Sequence, residues 1–141
     1  DLQEELLQMV EDLNLRHKVT FLGNLLPEEL KIQTLKAKIG INILESHSLN
    51  YYYSLANKFF DYMHAGVPSL NMNFPEYQNI NDNFEIAMLI TSLEESQIVS
   101  AVHDLLTDQL LYNKLKENCL LAREIYHWEI EAQKLKVIYQ L

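Results

Sequence analysis

An α/β fold, with a parallel sheet covered by helices on both faces, is what this sequence predicts. Two observations carry that reading. Short apolar runs rich in β-branched residues alternate with longer stretches whose apolar residues recur at helical spacing, the pattern of βαβ units. Only three Gly and three Pro in 141 residues leave room for few long loops, so regular structure is dense. Crossovers between the parallel strands are expected to be right-handed.

Along the chain, residues 1–15 set Leu2, Leu6, Met9, Val10 and Leu13 at helical spacing with acids elsewhere, an amphipathic helix. Lys18-Val-Thr-Phe-Leu-Gly23 is β-branched and aromatic and is closed by Gly, so it reads as a first short, buried strand. Pro27-Glu-Glu29 opens a helix reaching to about Lys38, since Pro is tolerated and acids are favoured in a first turn. Ile39 to Leu44 is a second strand. Asn50 to Pro68 then forms a loop and helix. Ser54 and Asn57 are N-cap types, Phe59, Phe60, Met63 and Val67 share a helical face, and Gly66 with Pro68 stops the helix. Pro68 to Asn73 is a third strand, Pro75 to Asn81 a turn or short helix, and Phe84 to Ile90 a fourth strand. Three helices follow, Leu93 to Leu106, Gln109 to Tyr126, and Trp128 to Leu141, the last packed through Trp128 and Tyr139. No repeat, low-complexity tract or linker interrupts this order, so residues 1–141 are read as one domain.

Composition excludes several functions. The net charge of −9 argues against a nucleic-acid partner, which would need clustered Lys and Arg, but leaves room for a small phosphorylated ligand. No apolar run approaches the roughly 20 residues of a membrane span, and the acidic N-terminus does not read as a signal peptide. A lone Cys119 cannot form an internal disulfide and sits among Leu115, Leu120 and Ala122 as a core thiol, which fits a cytoplasmic localisation. The five His show no metal-ligand spacing, so no metal is expected, and His47 alone falls in the loop after the second strand.

The start of the helix after Asn50 offers unpaired N–H groups and a positive dipole end at the carboxyl edge of the sheet, a ready phosphate site. Several side chains there carry two readings. Asp61 either stabilises its own helix through the dipole or holds a ligand. Lys58 either pairs with Asp61 at i, i+3 or contacts a phosphate. Ser54 and Asn57 cap, which leaves neighbouring amides available. Glu76 is a solvated loop carboxylate or a ligand contact. Tyr51, Tyr52 and Tyr53 shield the loop or pack against a sugar or base.

Three segments, Lys18 to Gly23, Pro27 to Leu30 and Asn57-Lys-Phe-Phe-Asp-Tyr-Met-His-Ala-Gly-Val-Pro68, together with Phe74-Pro-Glu-Tyr77 and Tyr126-His-Trp-Glu129, give the chain a recognisable pattern. It resembles the C-terminal, donor-binding domain of group-one glycosyltransferases of the GT-B fold. Asn50 to Pro68 is similar to the form in bacterial surface-polysaccharide transferases, Asn-Tyr-x-Tyr-Ser-Leu-Pro-Asn-Lys, with Ala56 in place of Pro. The resemblance implies a truncated Rossmann-like sheet of about four strands with a helical C-terminus. It also implies a retaining transfer of sugar from a nucleoside-diphosphate donor to a glycan or lipid-linked acceptor held by an N-terminal domain. No cofactor or metal is implied. The family's pair of glutamates falls on Tyr53 and Asp61, so the first is replaced and the second is one methylene shorter. Donor contacts carried over are Asp61 to the ribose, with Lys58, Asn57, Ser54, Tyr53 and Glu76 around it. No catalytic base is assigned.

Two further βα units, with a glycine-rich turn and the diphosphate-binding Arg and Lys, precede this region in the family and are not in these residues. Their absence would leave the Val19 strand without its neighbour and the Ile41 strand with an open edge. Three outcomes follow as expectations: a rearranged sheet joining those strands, a partner chain that makes a homodimer, or a piece of a longer chain. The lack of an initial Met favours the last. The inner face of the membrane is an alternative location for the full-length protein. Rival functions are a non-catalytic binding or assembly domain of the same fold and a GT-B-fold sugar-nucleotide epimerase.

Overall fold

The computed structural model describes residues 2–140, in two compact units that divide after Leu30. The first holds α1, Leu2–Asp12, and the opening turn of α2, Pro27–Lys36. At that opening the Glu29 carboxylate accepts from the Leu26 amide at 3.0 Å, satisfying a donor that the helix itself leaves unpaired.

Helix α1 has the expected apolar spacing, yet none of its residues is buried. Beyond it the expected strand from Lys18 to Gly23 does not form. The amides of Lys18 and Val19 both return to the Leu15 carbonyl, at 2.8 and 3.0 Å, and the rest of the segment joins no ladder among the described residues. Val19, Phe21 and Leu22 are exposed. Strand preference measures fit against neighbouring strands, and here local turns claim the first amides instead.

The second unit is α/β. Its sheet has three parallel strands, not four, in the order β1 (Gly40–Asn42), β2 (Ser69–Met72), β3 (Ala87–Ile90). Helices α3 (Leu49–Tyr52) and α4 (Asn57–Ala65) lie between β1 and β2 in sequence, and α5 (Pro75–Phe84) between β2 and β3. Then come α6 (Glu95–Thr107), α7 (Gln109–Ala122) and α8 (Trp128–Tyr139). Helix α7 packs on α4, α5 and α6, and buries Leu115, Cys119 and Ala122 along one stripe. Leu105, Phe59, Met63 and Leu70 meet the same core. Trp128 and Tyr139, expected as packing residues of α8, are both 69% exposed.

Register decides the faces of the sheet. Gly40 aligns with Ser69, and Asn42 with Asn71, so these four point to one side. Helix α4 covers that side at Gly40, where a Cβ would lie 2.4 Å from the Tyr62 ring. On the other side Leu70 is fully buried but its neighbour Ile41 is 47% exposed, so that face is open over β1. The Gly40 amide donates to Pro68 at 2.9 Å, which turns the Ile41 amide and carbonyl away from β2, to the free edge. The Tyr62 hydroxyl donates to that carbonyl at 3.4 Å. At the end of α4, Gly66 takes the left-handed φ of 67° and its amide returns to the last turn, as its position after the helix predicts.

Two outcomes test this packing. Gly40→Ala forces the Tyr62 ring to move and should cost about 1–3 kcal/mol in urea unfolding, with much of the loss absent when Tyr62→Ala is already in place. Burial pushes the Cys119 thiol up to about 12 from its ordinary 9.0. The folded chain therefore keeps a proton that the unfolded chain releases above pH 9. Stability should fall between pH 9 and 12 by up to about 1.4 kcal/mol per unit from this group, and Cys119→Ala should flatten the slope in urea titrations.

Candidate functional site

Helices α4 and α5 both begin at the carboxyl edge of the sheet, α5 directly after β2 and α4 after the excursion through α3. Ser48 starts that excursion by accepting the Tyr51 amide at 3.3 Å. The Tyr52 ring then rests on buried Phe74 at 5.3 Å and meets Tyr53 edge-on at 4.9 Å. Ser54, expected as a cap of α4, instead turns its hydroxyl back to the Tyr51 carbonyl at 2.8 Å. Asn57, the other expected cap, is already the first residue of the helix. Both expectations missed the N-cap by one to two residues because Ala56 occupies it.

That choice matters chemically. Ala56 has no side-chain oxygen, and the first turn of α4 has no side-chain cap. The Phe59 amide returns to the Ala56 carbonyl at 3.0 Å, and the Asn57 and Lys58 amides before it can donate to an anion from outside. The Ala56 amide itself points inward and donates to the Tyr77 hydroxyl at 3.0 Å. Asn42 Nδ2 donates to the same hydroxyl at 3.2 Å and to Asn71 Oδ1 at 3.1 Å, and Asn71 Nδ2 donates to Ser69 Oγ at 2.8 Å. All four side chains are buried, and among the described residues no buried side-chain N or O lacks a partner. The Tyr77 ring stands edge-on to Phe59 of α4, 5.1 Å away. A polar chain thus ties the start of α4 to the ends of β1 and β2.

Asn57, Lys58 and Asp61 lie exposed on the first two turns of α4, and Tyr53 is 58% exposed at the end of α3. Lys58 and Asp61 make no ion pair with each other among the described residues, so the i, i+3 pairing that their spacing allows is not made. Asp61 instead sits beside Tyr62, whose hydroxyl is pushed above its ordinary range chiefly by burial, with the Asp61 charge adding to the shift and the Ile41 carbonyl opposing it. Glu76 is in the first turn of α5 rather than in a loop, next to Tyr77, where the helix dipole favours a carboxylate. A first turn with one cation and open amides, flanked by two carboxylates, can hold a phosphate and hydrogen-bond hydroxyl groups beside it.

The remaining marked residues lie elsewhere. His47 pairs with Glu45 on the surface. His64, in the last turn of α4, meets the Tyr126 carbonyl at 2.8 Å, so the Tyr126 to Glu129 segment joins the far end of the helix from the candidate site. There His127 holds the Glu129 carboxyl below its usual range through a 2.8 Å hydrogen bond. Among the described residues no group of three or more His, Cys, Asp or Glu is arranged to hold a metal. A cavity of about 250 Å³ lies along β3, lined by Met88, Thr91, Gln97 and Asp104, and not at the start of α4. Tyr77, Asn42 and Asn71 were not singled out in the sequence. Their signal is an Asn at the same register in two otherwise apolar strands. Comparison with protein-family models, with curated proteins and with solved structures yields no match.

Because Lys58 and Asp61 are exposed and unpaired with each other, Lys58→Ala and Asp61→Ala should each change unfolding free energy by less than about 0.5 kcal/mol. Phe59→Ala, which empties the core beneath them, should cost about 3–5 kcal/mol in the same urea measurement.

Proposed function

We propose that this chain is the donor-binding, Rossmann-like half of a retaining glycosyltransferase that uses a nucleoside-diphosphate sugar. The reading is supported by the uncapped start of α4 at the carboxyl edge of a parallel sheet, where ligands of open α/β sheets bind. It is supported too by the likeness of Asn50 to Pro68 to the donor-binding segment of surface-polysaccharide transferases. In this reading the donor diphosphate lies at the amides of Asn57 and Lys58, with the Lys58 ammonium beside it. Asp61, one turn further, accepts from the ribose hydroxyls. Ser54 and Tyr53 border the sugar side and Glu76 faces it from α5.

Departure of the nucleoside diphosphate would build negative charge beside the amides and Lys58, which would stabilise the leaving group electrostatically. Further diphosphate-binding cations and an acceptor-binding domain would complete the transferase, with a glycan or lipid-linked acceptor. The stretch described here would bind donor weakly and transfer nothing by itself.

Titration with uridine, guanosine and adenosine diphosphates, followed by amide NMR, tests the proposal. Shifts should cluster from Ser54 to Asp61 for at least one nucleotide. Asp61→Ala should weaken that binding about tenfold or more, the scale of a hydrogen bond to a charged group, and Lys58→Ala should weaken it most at low salt. No shift in this segment with any of the three nucleotides overturns the proposal.

A further inference from the structure

The geometry points to Tyr77 as the positioning residue that sets the direction of the α4 amides, an inference that rests on the proposed donor site for its ligand but not for its mechanism. Tyr77 is 1% exposed, and its ring is fixed between Phe59 and Phe74. Its one polar atom receives two donors that come from different parts of the fold, the Ala56 amide and Asn42 Nδ2. Ala56 is the N-cap, so the peptide that follows it carries the Asn57 amide, the first of the open donors. Anchoring the Ala56 N–H to a hydroxyl that is itself anchored to β1 fixes where the next two amides point. Hydrogen bonds weaken steeply as their angle closes, so a phosphate that takes its hydrogen bonds from backbone amides depends on that direction. Helix α5 thereby contributes to the site a residue that touches no ligand.

Without the Tyr77 hydroxyl the Ala56 amide loses its acceptor while the ring can stay in place. Ile80→Val, elsewhere in α5, trims one methyl from the buried core and keeps the hydroxyl. The two substitutions therefore separate positioning from packing.

The test uses the whole chain. In Tyr77→Phe, hydrogen exchange of the Ala56 amide should quicken about tenfold while the Leu70 and Asn71 amides of β2 keep their rates. Affinity for whichever nucleoside diphosphate the unaltered chain binds should fall about tenfold, and affinity for the matching nucleoside should not change. Ile80→Val should leave the diphosphate affinity within about twofold of the unaltered chain. Unchanged Ala56 exchange in Tyr77→Phe, a loss shared equally by nucleoside and diphosphate, or an equal loss of diphosphate affinity in Ile80→Val overturns the inference. If Tyr77→Phe does not fold, Ala56 exchange in the unaltered chain as fast as that of the open Asn57 amide overturns it as well. If the unaltered chain binds no nucleotide, the donor reading fails by itself, and the exchange rates still decide whether Tyr77 holds the start of α4.

Discussion

Two asparagines buried side by side in a parallel sheet constrain everything placed over them. Asn42 and Asn71 share one register and one face, and each brings donors and an acceptor into an apolar interior. Left unpaired, such a group costs about 1–3 kcal/mol, whereas the net gain from pairing it is about 1 kcal/mol. The asymmetry makes the network a specifier of arrangement more than a source of stability. Asn42 needs Tyr77, so α5 must lie where its third residue reaches β1. The Tyr77 hydroxyl takes the Ala56 amide, so α4 must begin beside α5. Two helix starts are thus brought to one edge of the sheet by polar groups that are absent from the surface.

Much of the second unit was legible in the sequence because its signals are local. The α4 face of Phe59 and Met63, the stop at Gly66 and the strands around Leu70 and Met88 all follow from spacing, turn chemistry and short apolar runs. What failed were the places where a neighbour decides. Lys18 to Gly23 has strand composition but no ladder, and Trp128 and Tyr139 have core composition but stand exposed. Ser54 and Asn57 have capping chemistry, yet the Tyr77 hydroxyl draws the Ala56 amide and so shifts the cap to a residue with no side-chain oxygen. Of the candidate site, the elements and the exposed side chains could be read from sequence. The support beneath them could not, since it comes from Asn42, Asn71 and Tyr77, and the hydroxyl that holds the Ala56 amide lies 21 positions away in the chain.

Electrostatics divides the candidate site from its surroundings. A chain with a net charge of −9 presents a repulsive field to any diphosphate, and moderate salt screens that field over about 8–10 Å. At contact distance the balance is set by fixed dipoles and one ammonium, which salt weakens less the better the ligand excludes water. Under the proposed donor reading, approach and retention would therefore respond to ionic strength with opposite signs.

The Tyr62 side chain has two duties, since its ring fills the space above Gly40 and its hydroxyl occupies the outward carbonyl of Ile41. Positions 40 and 62 are consequently not free to drift one at a time. A lineage that acquires a side chain at 40 must displace the ring at 62, and with it the one group that, among the described residues, is seen to occupy that carbonyl. The uncovered strand would then be ready to accept another backbone. Sequence change at this pair would thus appear as joint replacement, accompanied by a new cover for the edge of β1 or by association through it.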